Sequence, residues 1–208
     1  MKKKFVHKYM RLAKFIGEDE NPCLSRHIGA IIVDPASNAI RGTGYNGPPP
    51  GTPHTNDASF LRNFFWPQLT QDEIEIINSK LGHPHEPSDF TQIRNDGILN
   101  DLVIEYAGKS ICPRRLVDAA SGERNELCSC GHAERHAITN AECCVRGFVM
   151  FCWCTVPCIQ CSDAIIHAGI RTVHCLDEEL YHDQSLWLLE SGGVEVVQHT
   201  KDEFMQNS

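Results

Sequence analysis

From His132 onward the sequence alternates two kinds of periodicity, and that alternation limits the fold more than any other feature. Helical spacing begins near His132 and runs to about residue 141, and an apolar strand-like run covers about 148–154. A second helix begins at Pro157, placed in the first turn where a missing N–H is harmless, and Gly169 closes it after about residue 168. Residues 171–176 read as a strand, about 181–190 as a helix, and 194–198, after Gly192-Gly193, as a last strand. Strand–helix–strand units of this length require parallel strands covered by helices. Upstream, Phe5, Tyr9, Leu12, Ala13 and Ile16 share one helical face. Residues 28–33 form a buried-type strand, residues 34–38 carry turn chemistry, and a second strand starts at Ala39 and ends at about Thr43. A hairpin joined to a parallel section gives an α/β fold with a mixed sheet of about five strands and helices on both faces. The segment Gly44-Tyr45-Asn46-Gly47-Pro48-Pro49-Pro50-Gly51 reads as an irregular loop with polar tips.

Residues 55–110 are less regular, with weak helical patterns at about 57–65 and 71–81 and a loop-like His83-Pro84-His85-Glu86-Pro87. They read as an insertion in a single domain spanning residues 1–208. A formal net charge of −8 argues against nucleic acid polymers and for small-molecule substrates. The basic start is followed by His7, Lys8, Arg11 and Lys14 instead of an apolar signal region, and no run suits a membrane span. The expected location is the cytoplasm, where eleven cysteines point to metal binding rather than disulfides.

Two fragments carry the chemistry, His132-Ala133-Glu134 and Pro157-Cys158-Ile159-Gln160-Cys161. A catalytic zinc takes three protein ligands and leaves the fourth position for water. Cys158 and Cys161, three apart at a helix start, can aim both sulfurs at one point, where the helix dipole favours thiolates. His132 is the third ligand, which requires it to lie at the irregular start of its helix, because residues two apart in mid-helix diverge. Glu134 then remains unliganded and able to move protons. Alone, Cys-x-x-Cys also suits half of a structural zinc site or a redox pair; an unliganded Glu nearby favours catalysis. A protease-type zinc pair on His132 and His136 would need Glu directly after the first His, and Ala133 fills that position. The combined pattern is that of zinc nucleobase deaminases.

With these fragments stand Cys23-Leu24-Ser25-Arg26-His27-Ile28-Gly29-Ala30, Thr43-Gly44-Tyr45-Asn46-Gly47, Cys112-Pro113-Arg114-Arg115, residues 121–128, Ala168-Gly169-Ile170 and Tyr181-His182-Asp183. Together they resemble the deoxycytidylate (dCMP) deaminase family, over roughly residues 5–54 and 111–198. The resemblance implies a three-layer α/β/α cytidine deaminase-like sandwich and zinc-dependent hydrolysis of dCMP to dUMP and ammonia, supplying dUMP for dTMP synthesis. Alternatives are a deaminase of dCTP or another cytosine nucleotide, and a catalytically silent zinc-stabilised nucleotide-binding regulator.

The resemblance also implies residue roles. Asn46 contacts the sugar or base, with Ala133 and Tyr181 beside the substrate. Ser25 and Arg26 are read either as 5′-phosphate donors or as an ordinary solvated pair. Activation by dCTP, inhibition by dTTP with Mg2+, and a hexameric homo-oligomer belong to the same expectation. A second, structural zinc would draw on Cys23, His54, Cys112 and Cys128, with Cys130 a further candidate. Three positions depart from the family: His136 replaces an Asn, Cys152 a Tyr, and Thr55 a loop cysteine. Cys143, Cys144, Cys152, Cys154 and Cys175 read as buried small hydrophobes, and His83, His85, His174 and His199 as surface or satisfied imidazoles.

Overall fold

The structure, a computed structural model, describes residues 2–19, 22–55, 57–81, 112–120 and 123–205. The chain forms two compact units, one built from residues 1–22, 26–47 and 131–208, the other from 23–25 and 48–130.

The first unit is built on a five-stranded sheet. Its strands are β1 (Gly29–Val33), β2 (Ile40–Tyr45), β3 (Val149–Cys152), β4 (Thr172–Leu176) and β5 (Glu195–His199), in the order β2-β1-β3-β4-β5. β1 is antiparallel to both neighbours, whereas β3, β4 and β5 run parallel, so the sheet is mixed. Its helices are α1 (Lys3–Asp19), α2 (Ala133–Thr139), α3 (Ile159–Ala168), α4 (Gln184–Ser191) and α5 (Asp202–Met205).

Alternation along the strands sorts side chains into two cores. Ala30, Ile32, Met150, Cys152, Val173 and Cys175 pack with Ala133, Ala137, Ile165 and Leu189 from α2, α3 and α4. Ile31, Val33, Val149 and Phe151 face the other way, onto Val6, Tyr9, Met10 and Ala13 of α1 and Phe204 of α5. All five residues of β1 are buried because helices cover both its faces. This is the three-layer α/β/α sandwich that the sequence predicts. Among the described residues no helix is long and apolar enough to cross a membrane.

Local chemistry explains most boundaries. In the β1–β2 turn, Asp34 accepts from the Ala36 N–H at 2.9 Å and from the Ser37 hydroxyl at 2.6 Å, and Asn38 has φ 59°. Gly169 ends α3 with φ 73° and donates back to the Ile165 and Ile166 carbonyls. Pro157 lies outside the helix instead of in its first turn, because Cys158 is the extended N-cap residue, with ψ 165°. Residues 181–183 precede α4 instead of opening it. β2 continues through Gly44 and Tyr45, which the sequence assigns to a loop. A Cβ at Gly44 would collide with Ala133 O and Ala137 N, so glycine here lets the strand lie directly on α2.

In the second unit, Phe60, Leu61, Phe65, Ile77, Leu116, Val117 and Leu127 form a small core. The helix Gln71–Leu81 is tied to the later segment by Arg124, whose guanidinium meets Glu73 at 2.7 Å and the Gln68 carbonyl at 3.0 Å. The segment read as an insertion lies within this unit; 82–111, including His83 and His85, are outside the described residues.

Candidate metal centre

Two helix starts in the first unit converge. His132 is the N-cap residue of α2, with φ −89° and ψ 146°, so its imidazole escapes the helical direction that would carry it away from Glu134. Cys158 occupies the N-cap position of α3 and Cys161 its first turn. Both sulfurs lie 3.3 Å from His132 Nδ1. The ligand atoms of the three residues are all within 4.8 Å of one another. One nitrogen and two sulfurs, clustered and without a fourth protein donor in the group, suit a zinc ion with an open position.

Glu134 stands beside this set, 3 % exposed. Its Oε2 is 3.5 Å from the Cys161 sulfur, and its Oε1 is 3.8 Å from the Cys154 sulfur. Burial, partly offset by His132, pushes the Glu134 carboxyl above its usual range. A hydrogen bond from Cys161, aided by His132, brings the Cys158 thiol down to about 4. The same contact with Cys158, reinforced by burial, pushes Cys161 up. His132 is raised, chiefly by its hydrogen bond to Cys158. The cluster thus favours the thiolate at Cys158, the form that binds metal.

The other predicted site residues are distributed unevenly. Asn46 is buried; its Oδ1 accepts from the Ala133 N–H at 2.9 Å, and its Nδ2 donates to the Arg26 carbonyl at 3.4 Å. It therefore holds the first helical N–H of α2 beside the metal ligands. Ala133 is fully buried with its N–H engaged by Asn46, so its side chain offers no open wall to a substrate. The Arg26 guanidinium lies over the Tyr181 ring at 4.5 Å, and burial pushes the Tyr181 phenol up to about 12. Ser25 belongs to the second unit, where its hydroxyl is 3.6 Å from the Cys23 sulfur. His136 turns Nδ1 to the Tyr45 carbonyl at 2.9 Å, fastening α2 to the end of β2. A groove of about 880 Å³ lined by Lys3, Lys4, His7, Lys8 and Arg11 of α1, with Glu203 and Phe204, contains none of the metal-centre residues.

Neither His54 nor Cys112 belongs to a metal-spaced group of three or more among the described residues, nor do Cys23 and Cys128. Within the second unit the thiols that meet are Cys128, Cys130 and Cys23. The Cys130 N–H donates to the Cys128 sulfur at 3.4 Å, and contact with Cys128 and Cys23 pushes the Cys130 thiol up.

Of the remaining cysteines, Cys152, Cys154 and Cys175 are buried as expected, but Cys143 and Cys144 are exposed in the connection between α2 and β3. Cys154 is the residue that sequence reasoning undervalued. Glu134, Cys152 and Cys154 form a second cluster within 4.8 Å, and the signal was the two-residue spacing that sends both cysteines to the α2 face of the sheet.

A sequence model of the cytidine and deoxycytidylate deaminase zinc-binding region matches residues 3–177. A deoxycytidylate deaminase of Schizosaccharomyces pombe is 22% identical over 197 residues, 94% of this chain, which spans 44% of that protein's length. ComE operon protein 2 of Bacillus subtilis (strain 168) is 43% identical over 49 residues, 24% of this chain and 26% of that protein. Among solved structures, dCMP deaminase from the cyanophage S-TIM5 in complex with dCMP and dUMP superimposes with a TM-score of 0.54 at 19% identity. The match covers 96% of this chain and 99% of the phage chain.

Proposed function

Because the chain belongs to the cytidine and deoxycytidylate deaminase zinc-binding family, we propose that it hydrolyses dCMP to dUMP and ammonia at the His132–Cys158–Cys161 centre. The observation that carries the reading is a buried carboxylate, Glu134, beside three metal-type donors yet outside their group. The deoxycytidylate deaminase relatives support dCMP as the substrate.

His132, Cys158 and Cys161 would hold the zinc, which would supply an activated water at neutral pH. Glu134 does the proton work. Its carboxylate takes a proton from the attacking water and delivers it to the ring nitrogen, then takes the proton of the hydroxyl now on the ring carbon and passes it to the amino group, which leaves as ammonia. Water adds to the carbon bearing the amino group, and the C–N bond breaks as the carbonyl of uracil forms. Asn46 keeps the start of α2 in place, and the Arg26 guanidinium lies over the Tyr181 ring, a stacked pair whose charge suits an anionic substrate.

The finer parts of the reading rest on the resemblance of the motifs. They are activation by dCTP, inhibition by dTTP with Mg2+, hexameric assembly, cytoplasmic residence and a role in dUMP supply. A second, structural zinc in this reading would draw on Cys23, His54, Cys112 and Cys128, with Cys130 a further candidate, and a metal count per chain tests it.

The test is a substrate panel of dCMP, dCTP, CMP and deoxycytidine, followed by ammonia release with and without dCTP and dTTP. The expected result is uracil product from dCMP foremost. Preference for dCTP would replace the substrate assignment, and binding without turnover of any would favour a regulator.

A further inference from the structure

We propose that Cys154 is a positioning residue for Glu134: its thiol holds Oε1, leaving Oε2 turned toward the metal position. This rests on the deaminase reading above. The Cys154 sulfur is 3.8 Å from Oε1, while Oε2 faces the Cys161 sulfur at 3.5 Å. Cys154 and Glu134 are each 3 % exposed, so solvent has little access to this contact.

The two sulfur contacts are not equivalent. Cys161 acts as a metal ligand only as a thiolate, and a thiolate has no proton to donate. Once it ligates, its contact with Oε2 cannot fix the carboxylate. The terminal torsion of a Glu side chain is broad, so the carboxylate plane needs an external donor to set it. Cys154 supplies that donor from the other side. With its thiol donating to Oε1, Oε2 is left for the water and then for the substrate nitrogen.

The backbone gives Cys154 the rigidity this role requires. It follows β3, whose continuation is pinned by the Trp153 N–H donating to the Gly29 carbonyl at 2.9 Å. The Cys154 carbonyl in turn accepts from the Leu176 N–H at 2.7 Å. Cys154 is thus fixed to the ends of β1 and β4 on either side. Cys152, two residues earlier, brings its sulfur into the same cluster, against the Cys154 thiol.

The experiment compares zinc-loaded Cys154→Ala, Cys154→Val and Cys154→Ser with the unmodified chain, reading kcat, KM for dCMP, zinc content and melting temperature. Loss of one neutral hydrogen bond predicts a kcat about five- to tenfold lower in the Ala and Val variants, with KM and zinc content unchanged. Cys154→Ser, which restores a hydroxyl donor, should recover most of that loss. Ala or Val variants with full kcat would overturn the proposal, as would a Ser variant no faster than Ala, because packing alone would then explain the effect. An activity-free readout separates this proposal from the deaminase reading. The infrared S–H band that disappears in Cys154→Ser should lie at lower frequency in the unmodified chain than in Glu134→Ala. A band that does not move would overturn the positioning role even in an active enzyme. An unmodified chain inactive on every cytosine nucleotide would count against the deaminase reading alone, and the band would then decide the role of Cys154.

Discussion

Asn46 fastens the start of the helix that carries His132 and Glu134. Its Oδ1 accepts the Ala133 N–H, a donor that the first turn of a helix leaves without an internal partner. Replacing it by alanine leaves that buried N–H unpaired, a loss of about 1–3 kcal/mol. The expected outcome for Asn46→Ala is a lower midpoint in urea unfolding together with weaker zinc retention, since His132 is the adjacent residue. At this scale the cluster of His132, Cys158 and Cys161 with Glu134 beside it was legible in the sequence, because few roles other than an open zinc site need one imidazole, two thiolates three apart and a spare carboxylate. Asn46 was legible as a site residue but not in its backbone-holding role, since the partner lies 87 positions away. The spacing of Cys152 and Cys154 put both on the α2 face, but the carboxylate neighbour of Cys154 was not legible. A buried thiol in an apolar strand looks the same whether its neighbour is a methyl group or a carboxylate.

The elements place these residues through helix starts and a close strand–helix contact. α2 presses on β2 at Gly44, where a methyl group would meet the Ala133 carbonyl and the Ala137 nitrogen. Gly44→Ala should therefore push α2 away from the sheet. The expected loss is about 1–3 kcal/mol of stability, with reduced metal affinity, measured by thermal melts and a zinc competition assay. A variant with unchanged melting and zinc affinity would show that the contact is not tight. Strand and helix identities were readable from periodicity and turn chemistry, as the Asp34 turn and the Gly169 cap show. The exception is the stretch from Gly44 to Gly51, where three glycines and three prolines suggest a loop. There the requirement for close packing overrides the low strand propensity of glycine.

At the scale of the whole molecule, the sheet separates two cores, and the one beneath α1 and α5 contains an unusual polar pair. His174 is stacked on Phe151 at 4.8 Å, and its Nδ1 lies 2.9 Å from His199 Nε2. Burial, and then the neighbouring His199, brings the His174 imidazole down to about 4. An unfolded histidine titrates near 6.5, so above that pH neither state binds the proton. Between about 6.5 and about 4 the unfolded chain takes it up and the folded chain does not, and stability falls with pH across that window. His174 alone should lower unfolding free energy by on the order of 2 kcal/mol between pH 7 and pH 5, seen in urea titrations at both values and flattened in His174→Phe. An equal loss in both proteins would assign the acid sensitivity elsewhere. The division into two units was not legible, because the second is gathered from residues 23–25 and 48–130 by contacts that no local pattern announces. The whole account turns on a carboxylate that moves protons without holding the metal. The most direct measurement is the dCMP turnover of Glu134→Ala against the unmodified chain at equal zinc content. The predicted result is full zinc retention with turnover lower by several orders of magnitude, and near-normal turnover, or loss of the zinc, would contradict it.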